Sequence, residues 1–278
     1  MENIKVGIVG IGYVGKACIN FFSKKYSVYS YDINNSGTEK SIDSLVLRSD
    51  IIFISVPTPM NDDGSCNTSI VESVLSNIDN QEKKSLCVIK STIPPGTSRK
   101  FSDKFSNLEI CFNPEFLTEA NFIKDFQLQS RIIIGGNDKK GMVEKLFKDS
   151  FPDAKIMICT LEEAEMVKYF TNSFLATKVA FANEYYALCK KMNIDYNVIS
   201  KMAILDSRLG NSHFAVPGPD GEFGFGGSCF PKDINSIINT FKINNIHSYV
   251  LNSVWERNIK EDRLEQDWNK LKGRAVSE

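Results

Sequence analysis

Short apolar runs at residues 5–10, 27–31, 51–56, 86–90, 108–112 and 131–134 punctuate the first half of the chain, and the segments between them read as helices or loops. Runs this short, bounded by glycine, proline and polar residues, predict strands. Their alternation with helical segments predicts a parallel sheet covered on both faces. The pattern then turns helical. Residues 162–193 form the longest helical stretch, free of proline and glycine. Its apolar positions include Met166, Phe170, Phe174, Ala180 and Leu188, so much of the helix is expected to bury a face. Helical patterns resume near Asp233 and again over residues 249–272. The expected division is an α/β domain over residues 1–160 and an all-helical domain over residues 161–278, with the long helix as the spine between them and the surface for a second subunit.

Composition narrows the class of ligand. A chain of 278 residues with 42% hydrophobic and 24% charged residues is long enough for two ordinary cores and has the make-up of a soluble globular protein. Its formal charge of −1, with no concentrated basic face, argues against nucleic acid or an anionic membrane and for a small-molecule ligand. There is no apolar run long enough to span a bilayer, and the N-terminal residues lead directly into a strand without a cleavable signal, so a cytoplasmic location is expected. The seven cysteines (Cys18, Cys66, Cys87, Cys111, Cys159, Cys189, Cys229) are scattered and never spaced Cys-x-x-Cys. That suits neither a disulfide framework nor a zinc site, and no metal is expected. With only His213 and His247, a histidine-driven mechanism has few candidates.

Candidate chemistry begins at the first strand. It passes into Gly10-Ile11-Gly12-Tyr13-Val14-Gly15, followed by a helical pattern. In a strand–turn–helix of this kind the first glycine makes the turn, the second lets backbone approach a pyrophosphate, and the third permits helix–strand contact, while the helix N-terminus faces the phosphates. The next strand ends in Asp32, about 20 positions beyond Gly12, where a carboxylate accepts hydrogen bonds from the ribose hydroxyls of a dinucleotide. No arginine follows to receive a 2′-phosphate, so NAD is favoured over NADP. The first domain is therefore read as a Rossmann-type, doubly wound parallel sheet. Ligands in such sheets bind beyond the carboxyl ends of the strands. Pro57 and Thr58 after one strand, and Ser91 and Thr92 after another, lie at such strand ends, although their composition also suits ordinary loop punctuation.

A second constellation lies far along the chain, in Gly224-Phe225-Gly226-Gly227-Ser228-Cys229-Phe230-Pro231-Lys232-Asp233. The glycines remove side chains where a backbone or ligand comes close, and Pro231 suits the start of a helix. Cys229 then lies just before a helix N-terminus, whose unpaired N–H groups lower a thiol's pKa from about 8.5. Lys232 and Asp233 add a cation and a candidate base. Taken alone, these residues fit a nucleophile or a structural cysteine equally well.

As a string, however, this stretch resembles the active-site signature of UDP-glucose 6-dehydrogenases, in the UDP-glucose/GDP-mannose dehydrogenase superfamily. Three further stretches are similar to motifs of that family. Residues 113–119, NPEFLTE, resemble its NPEFLREG, with Thr118 in place of arginine and Ala120 in place of glycine. Lys168 and Asn172 fall one turn apart on the long helix, and Asp206-Ser207-Arg208-Leu209-Gly210 resembles D-x-R-I-G. The resemblance implies NAD as cofactor, a nucleotide sugar as substrate, and two hydride transfers from its C6. Cys229 would be the nucleophile, Lys168 and Asn172 the oxyanion donors, and Asp233, Glu115 and Thr92 the groups that handle water. It implies substrate contacts from Phe116, Leu117, Phe225 and Gly226, an Arg208 that reaches the sugar of a neighbouring subunit, and a phosphate-binding loop over residues 211–223. That loop has no lysine, and His213 would substitute. The family commonly continues with another nucleotide-binding domain of about one hundred residues, absent from this sequence. Two other readings remain open. One is a two-electron hydroxyacid dehydrogenase, which has no need of Cys229. The other is a non-catalytic nucleotide-sugar- or NAD-binding subunit that needs a partner.

Overall fold

The computed structural model of the chain describes residues 4–136 and 138–278. They form two compact units: one holds residues up to Thr58 together with Thr68–Lys168, and the other holds Pro59–Asn67 and Tyr169–Glu278. This division lies within the long helix and so differs from the one expected at residue 160. The difference is two helical turns and one excursion loop.

The first unit is a seven-stranded sheet in the order β2-β1-β3-β4-β5-β6-β7. Its strands are β1 (Lys5–Val9), β2 (Ser27–Tyr31), β3 (Ile51–Ile54), β4 (Ser85–Ile89), β5 (Leu108–Phe112), β6 (Arg131–Gly135) and β7 (Lys155–Cys159). The helices are α1 (Tyr13–Phe22), α2 (Ile42–Arg48), α3 (Ser69–Asp79), α4 (Thr97–Lys104), α5 (Phe122–Gln127) and α6 (Met142–Ser150). Every residue of β3 and β4 is buried, as expected of strands covered on both faces. One buried cluster joins Ile52, Ile54 and Cys87 to helix residues such as Leu45, Leu75 and Phe101, and the other joins Ile51, Phe53 and Val88 to Phe22, Phe126 and Phe147.

The sheet departs from the expected one in two respects. β5 and β6 meet antiparallel through Phe112 and Gly135. β7 is an additional edge strand that pairs parallel to β6, and its Ile158 remains 54% exposed. With only one face partly covered and five residues in all, β7 carries a weak apolar signal. Because β1 lies between β2 and β3, the strand order reverses there, and the loops after β1 and β3 open a crevice at the carboxyl ends.

The second unit contains most of α7 (Leu161–Lys191) with α8 (Tyr196–Ala203), α9 (Phe230–Ile243) and α10 (Tyr249–Arg257). Thr160 starts α7 as a capping box: its Oγ1 accepts from the Glu163 N–H, and the Glu163 carboxylate accepts from the Thr160 N–H. Ala176, Ala180, Phe225, Ile234 and Val254 form one core of this unit. Residues 59–67 leave the sheet and join it by main-chain bonds, Met60 N–H to Ala275 O at 2.9 Å and Ser277 N–H to Met60 O at 2.8 Å. The unit is therefore helical apart from these short bridges. Ala180 is buried, but Met166, Phe170, Phe174 and Leu188 are exposed on the single chain, with Phe170 at 71%. The face expected to be buried is thus largely open within one chain. Among the described residues no helix is long and apolar enough to cross a membrane.

Phe22 tests the aromatic side of the sheet. Its ring is 1% exposed and sits 5.5 Å from Phe53 and 5.9 Å from Phe126. Phe22→Ala should cost about 3–5 kcal/mol by urea denaturation, and a loss below about 1 kcal/mol would contradict this packing.

Candidate active site

In the first unit, the turn after β1 is built by its glycines. Gly10 has φ +90°, and a Cβ there would meet Ser55 O at 2.7 Å. A Cβ on Gly15 would lie 1.9 Å from Gly10 O, so the helix can approach the strand only as glycine. Gly12 is the N-cap of α1, without a side-chain cap, and a Cβ there would meet nothing within 4 Å. The space beside Gly12 at the start of α1 is therefore open, which fits a pyrophosphate at the helix N-terminus. Tyr13 and Val14 open the helix, with the Tyr13 ring 39% exposed and edge-on to Phe122 at 5.2 Å. Asp32 follows β2, and its carboxylate accepts from the Ile11 N–H at 2.6 Å and the Asn34 N–H at 3.2 Å. It thus braces the glycine turn while remaining part-exposed. Pro57 is exposed, Thr58 Oγ1 donates to Thr92 O at 2.8 Å, and Ser91 Oγ donates to Val56 O at 2.7 Å. These bonds lock the loops after β3 and β4 to each other. The residues present fit a dinucleotide.

A buried charge cluster lies at the carboxyl ends of β4 and β5. Lys90, 3% exposed, donates from Nζ to Asn113 Oδ1 at 2.6 Å and pairs with Glu115 Oε2 at 2.9 Å. Asn113 Nδ2 donates to Ile133 O at 2.7 Å, and the Phe116 N–H donates to Glu115 Oε1 at 2.9 Å. Lys168 Nζ donates to Glu115 O at 2.5 Å and lies 5.6 Å from the Phe116 ring centre, which Arg131 also approaches at 4.6 Å. Glu115 is therefore fixed at its backbone and at both oxygens. Leu117 is half-buried, and Thr118, at the position where the family pattern has arginine, donates its N–H to Asp125 at 2.8 Å. Lys90 did not stand out in the sequence. A single lysine ending a fully apolar parallel strand is the signal that would have found it, because such a cation must have a partner.

Glu165, on the first turns of α7, caps α4 from outside: its oxygens accept from the Gly96 N–H at 2.6 Å and the Ser98 N–H at 2.7 Å. The loop carrying Thr92 is thereby held to the turn that precedes Lys168.

In the second unit, Cys229 is the half-buried N-cap of α9, with proline in the first turn of the helix. Asp233 is 1% exposed, and its two oxygens are both engaged, by Lys232 Nζ at 2.5 Å and by Asn172 Nδ2 at 2.6 Å. Burial works against the Lys232 ammonium, yet Asp233, Cys66 and Cys229 outweigh it and hold its pKa above the ordinary lysine value. Cys66 thus neighbours this lysine. It also neighbours Tyr169, whose buried hydroxyl accepts from Ser236 Oγ at 2.9 Å.

By contrast, burial pushes Cys18 and Cys111 up to about 12 and makes them inert.

Several residues read as substrate contacts are placed differently. Phe225 is 4% exposed and packs against Phe230 and Trp255, and its N–H and C=O are both bonded to Asn258. Its ring belongs to the core of this unit. Gly226 is half-buried beside it. Arg208 is exposed and pairs with Asp206, Nε to Oδ1 at 2.9 Å. His213 has φ +68°, and burial, with help from Lys178, pushes its pKa down, so it supplies no positive charge near neutral pH. One cation beside this loop is Lys178, which donates to Leu209 O at 3.1 Å and lies 4.4 Å from the Phe214 ring centre.

Comparison with known proteins agrees with this layout. Residues 35–150 match the NAD binding domain of the UDP-glucose/GDP-mannose dehydrogenase family, and residues 162–260 match its central domain. The chain is similar to a UDP-glucose 6-dehydrogenase of Rickettsia bellii, 38% identical over 228 residues, which cover 79% of this chain and 51% of the relative. A UDP-glucose 6-dehydrogenase of Pseudomonas aeruginosa is 31% identical over 77% of this chain and 49% of its own length. The chain thus spans about half the length of these curated relatives. Among solved structures, a UDP-glucose dehydrogenase of Pyrobaculum islandicum matches with a TM-score of 0.84 and 28% identity, covering 92% of this chain and 68% of that one. A 3-hydroxyisobutyrate dehydrogenase of Mycobacterium tuberculosis matches with a TM-score of 0.74 at 15% identity over 93% of each chain, a likeness of fold alone.

Glu165 gives this region a pH signature. Burial pushes its carboxyl up to about 7 from 4.5, against the hydrogen bonds it accepts. Between those values the folded chain keeps a proton that the unfolded chain releases. The stability present at acid pH is therefore lost as pH rises through the window, by on the order of 3 kcal/mol at most. Urea melts at about pH 5 and about pH 8 should show this loss, and Glu165→Gln should abolish it. The same loss in the variant would contradict the assignment.

Proposed function

Because the chain belongs to the UDP-glucose/GDP-mannose dehydrogenase family, we propose that it carries out the NAD-dependent, four-electron oxidation of a nucleotide sugar, UDP-glucose to UDP-glucuronate, through a Cys229-bound intermediate. The observation that carries this reading is the charge network at the start of α9, where Lys232 and Asn172 both hold Asp233 one turn beyond Cys229. A structural cysteine has no need of a buried cation, carboxylate and amide arranged beside it.

Bound NAD supplies a hydride acceptor, one molecule for each of the two oxidations. The chain's own residues do the rest. Gly10, Gly12 and Gly15 would leave room for the pyrophosphate of NAD, Asp32 would accept from its ribose hydroxyls, and Thr58 and Ser91 would border it. The first oxidation converts the C6 alcohol to an aldehyde. Cys229 Sγ then adds to the carbonyl carbon, and the oxygen takes up a proton to give a thiohemiacetal. Lys168 and Asn172, one turn apart on α7, donate to that oxygen while it is charged, and loss of one such donor costs about 2.7–4 kcal/mol. The second oxidation gives a thioester. Water adds to it, the Cys229 thiolate leaves, and the acid is released. Asp233, Glu115 and Thr92 orient and deprotonate that water.

A two-electron hydroxyacid dehydrogenase shares the fold, but it gives no role to Cys229 or to the network beside it. A non-catalytic binding subunit would likewise have no use for them. The measurement that separates these readings is NAD reduced per UDP-glucose consumed. It should be two, and Cys229→Ser should abolish acid formation while leaving NAD binding intact, since an alkoxide leaves far less readily than a thiolate. One NAD reduced per substrate, or full turnover by the variant, would overturn the covalent reading.

The exposed stripe of Phe170, Phe174, Phe181 and Leu188 on α7 supports a homodimer through that helix, with Arg208 reaching the partner's sugar. Mixing two inactive variants, Cys229→Ser and Arg208→Ala, tests this. Heterodimers that collect both defects in one shared site leave the other whole and recover activity. No recovery despite subunit exchange, or a monomer by sedimentation, would rule the shared site out.

A further inference from the structure

The match to the family's central domain ends at residue 260, shortly after α10, and the next residues 261–267, EDRLEQD, are mostly charged. Such a run reads as a solvated helix face. Within the second unit it is placed otherwise. After a π-helical turn over Asn258–Asp262, the Arg263 side chain is 8% exposed. Its Nε donates to Asp267 Oδ1 at 2.8 Å, Nη2 to Asp220 Oδ2 at 2.6 Å, and Nη1 to Phe223 O at 3.2 Å. Asp267 Oδ2 accepts from the Gly227 N–H at 2.9 Å. The arginine therefore ties the loop that leads to Cys229 at two points, Asp220 and Phe223, and its carboxylate partner Asp267 holds the backbone two residues before the thiol.

The glycines of that loop complete the argument. A Cβ on Gly226 would lie 2.3 Å from Arg263 Nη2 and 2.3 Å from Asp267 Oδ1. A Cβ on Gly224 would lie 2.4 Å from Asn258 Oδ1. These positions need glycine because the loop backbone is pressed against the ion cluster. A stretch with this many glycines has many conformations open to it, and Arg263 with Asp267 removes that freedom where Cys229 must be aimed.

The charges persist at neutral pH. Burial alone would lower Arg263 and raise Asp267, but their mutual hydrogen bond and Coulomb attraction, with Asp220 and the Gly227 N–H, carry Arg263 above and Asp267 below their ordinary values. Burying such a cluster is a poor route to stability, since apolar residues of equal volume do as well. The planar fork of Arg263 instead fixes two separate points of the loop together with Asp267, which accepts from the Gly227 N–H, in one geometry.

We propose that Arg263 and Asp267 are positioning residues for Cys229, so that the segment beyond residue 260 is a working part of the active site. The kinetic half of the test rests on the function proposed above, and the chemical half does not. In the full chain, Arg263→Lys, Arg263→Met, Asp267→Asn and, as a milder variant, Asp220→Asn are compared with the parent. The rate of Cys229 alkylation by iodoacetamide is followed across pH by peptide mass spectrometry, alongside kcat, KM for UDP-glucose and for NAD, and Tm. Arg263→Met and Asp267→Asn should lower kcat about ten- to hundredfold, the scale expected of a misplaced reacting group, with KM for NAD unchanged. The Cys229 alkylation profile should shift in both. Arg263→Lys should recover part of each effect, and Asp220→Asn should show a smaller change in the same direction. Lower Tm with unchanged kcat and an unchanged alkylation profile would overturn the proposal and leave the cluster as packing. If the parent oxidises no nucleotide sugar, the function proposed above fails while the alkylation profile still decides this one: a shift upholds it and no shift overturns it. If the Arg263 and Asp267 variants do not fold, Asp220→Asn decides by the same two readouts.

Discussion

Taking a carboxylate out of water costs several kcal/mol unless its neighbours replace the lost hydration, and the second unit is arranged around one such group. Asp233 is almost fully buried and needs a cation and a donor together. Lys232 comes from the next residue and Asn172 from α7. Those two requirements fix the rotation of α9 about its axis and its contact with α7, and with them the direction in which Cys229 leaves the helix N-terminus. The first unit solves the same problem at Glu115, where Lys90 replaces water on the side chain and Lys168 binds the backbone carbonyl. Lys168 and Asn172 are one turn apart on one helix, so α7 contributes to both solutions.

What the sequence makes legible follows from the length scale of each interaction. The glycine turn, Asp32 and the buried strands are local: a period, a spacing and a turn suffice to find them. Cys229 before α9 is local as well. β7 is not legible, because five residues at a sheet edge with one partly open face carry little periodicity. The antiparallel meeting of β5 and β6 is a register choice between segments that look alike in either direction. Residues 59–67 look like a loop between β3 and α3, and only pairing with residues some two hundred positions later takes them to the other unit. Phe225 sits in a glycine-rich stretch that reads as a loop, and only its packing against Phe230 and Trp255 puts its ring in the core.

The open face of α7 shows how far a single chain can satisfy this sequence. Phe170, Phe174, Phe181, Tyr185 and Leu188 are each roughly half exposed or more. Each large apolar side chain left in water forgoes about 1.5–3 kcal/mol that burial would supply. Hydrophobic residues scattered singly on a surface need no explanation, but a contiguous stripe along one helix does. The periodic pattern predicted a buried face, and of its five named positions Ala180 alone is buried within one chain.

The glycine loop before Cys229 shows a second tension, between access and aim. In the mechanism proposed above, the Cys229 thiol adds to a carbonyl and later leaves, and such a group must be approached closely by substrate, which favours a loop without side chains. Such a loop is also the least able to hold its own conformation. The two demands are reconciled by borrowing order from elsewhere in the unit. Asn258 takes both main-chain groups of Phe225, Asp267 takes the Gly227 N–H, and Arg263 joins Asp267 to Asp220. Side chains near the C-terminal end of the chain thereby supply the rigidity that the loop gave up, and the approach to the thiol stays bare.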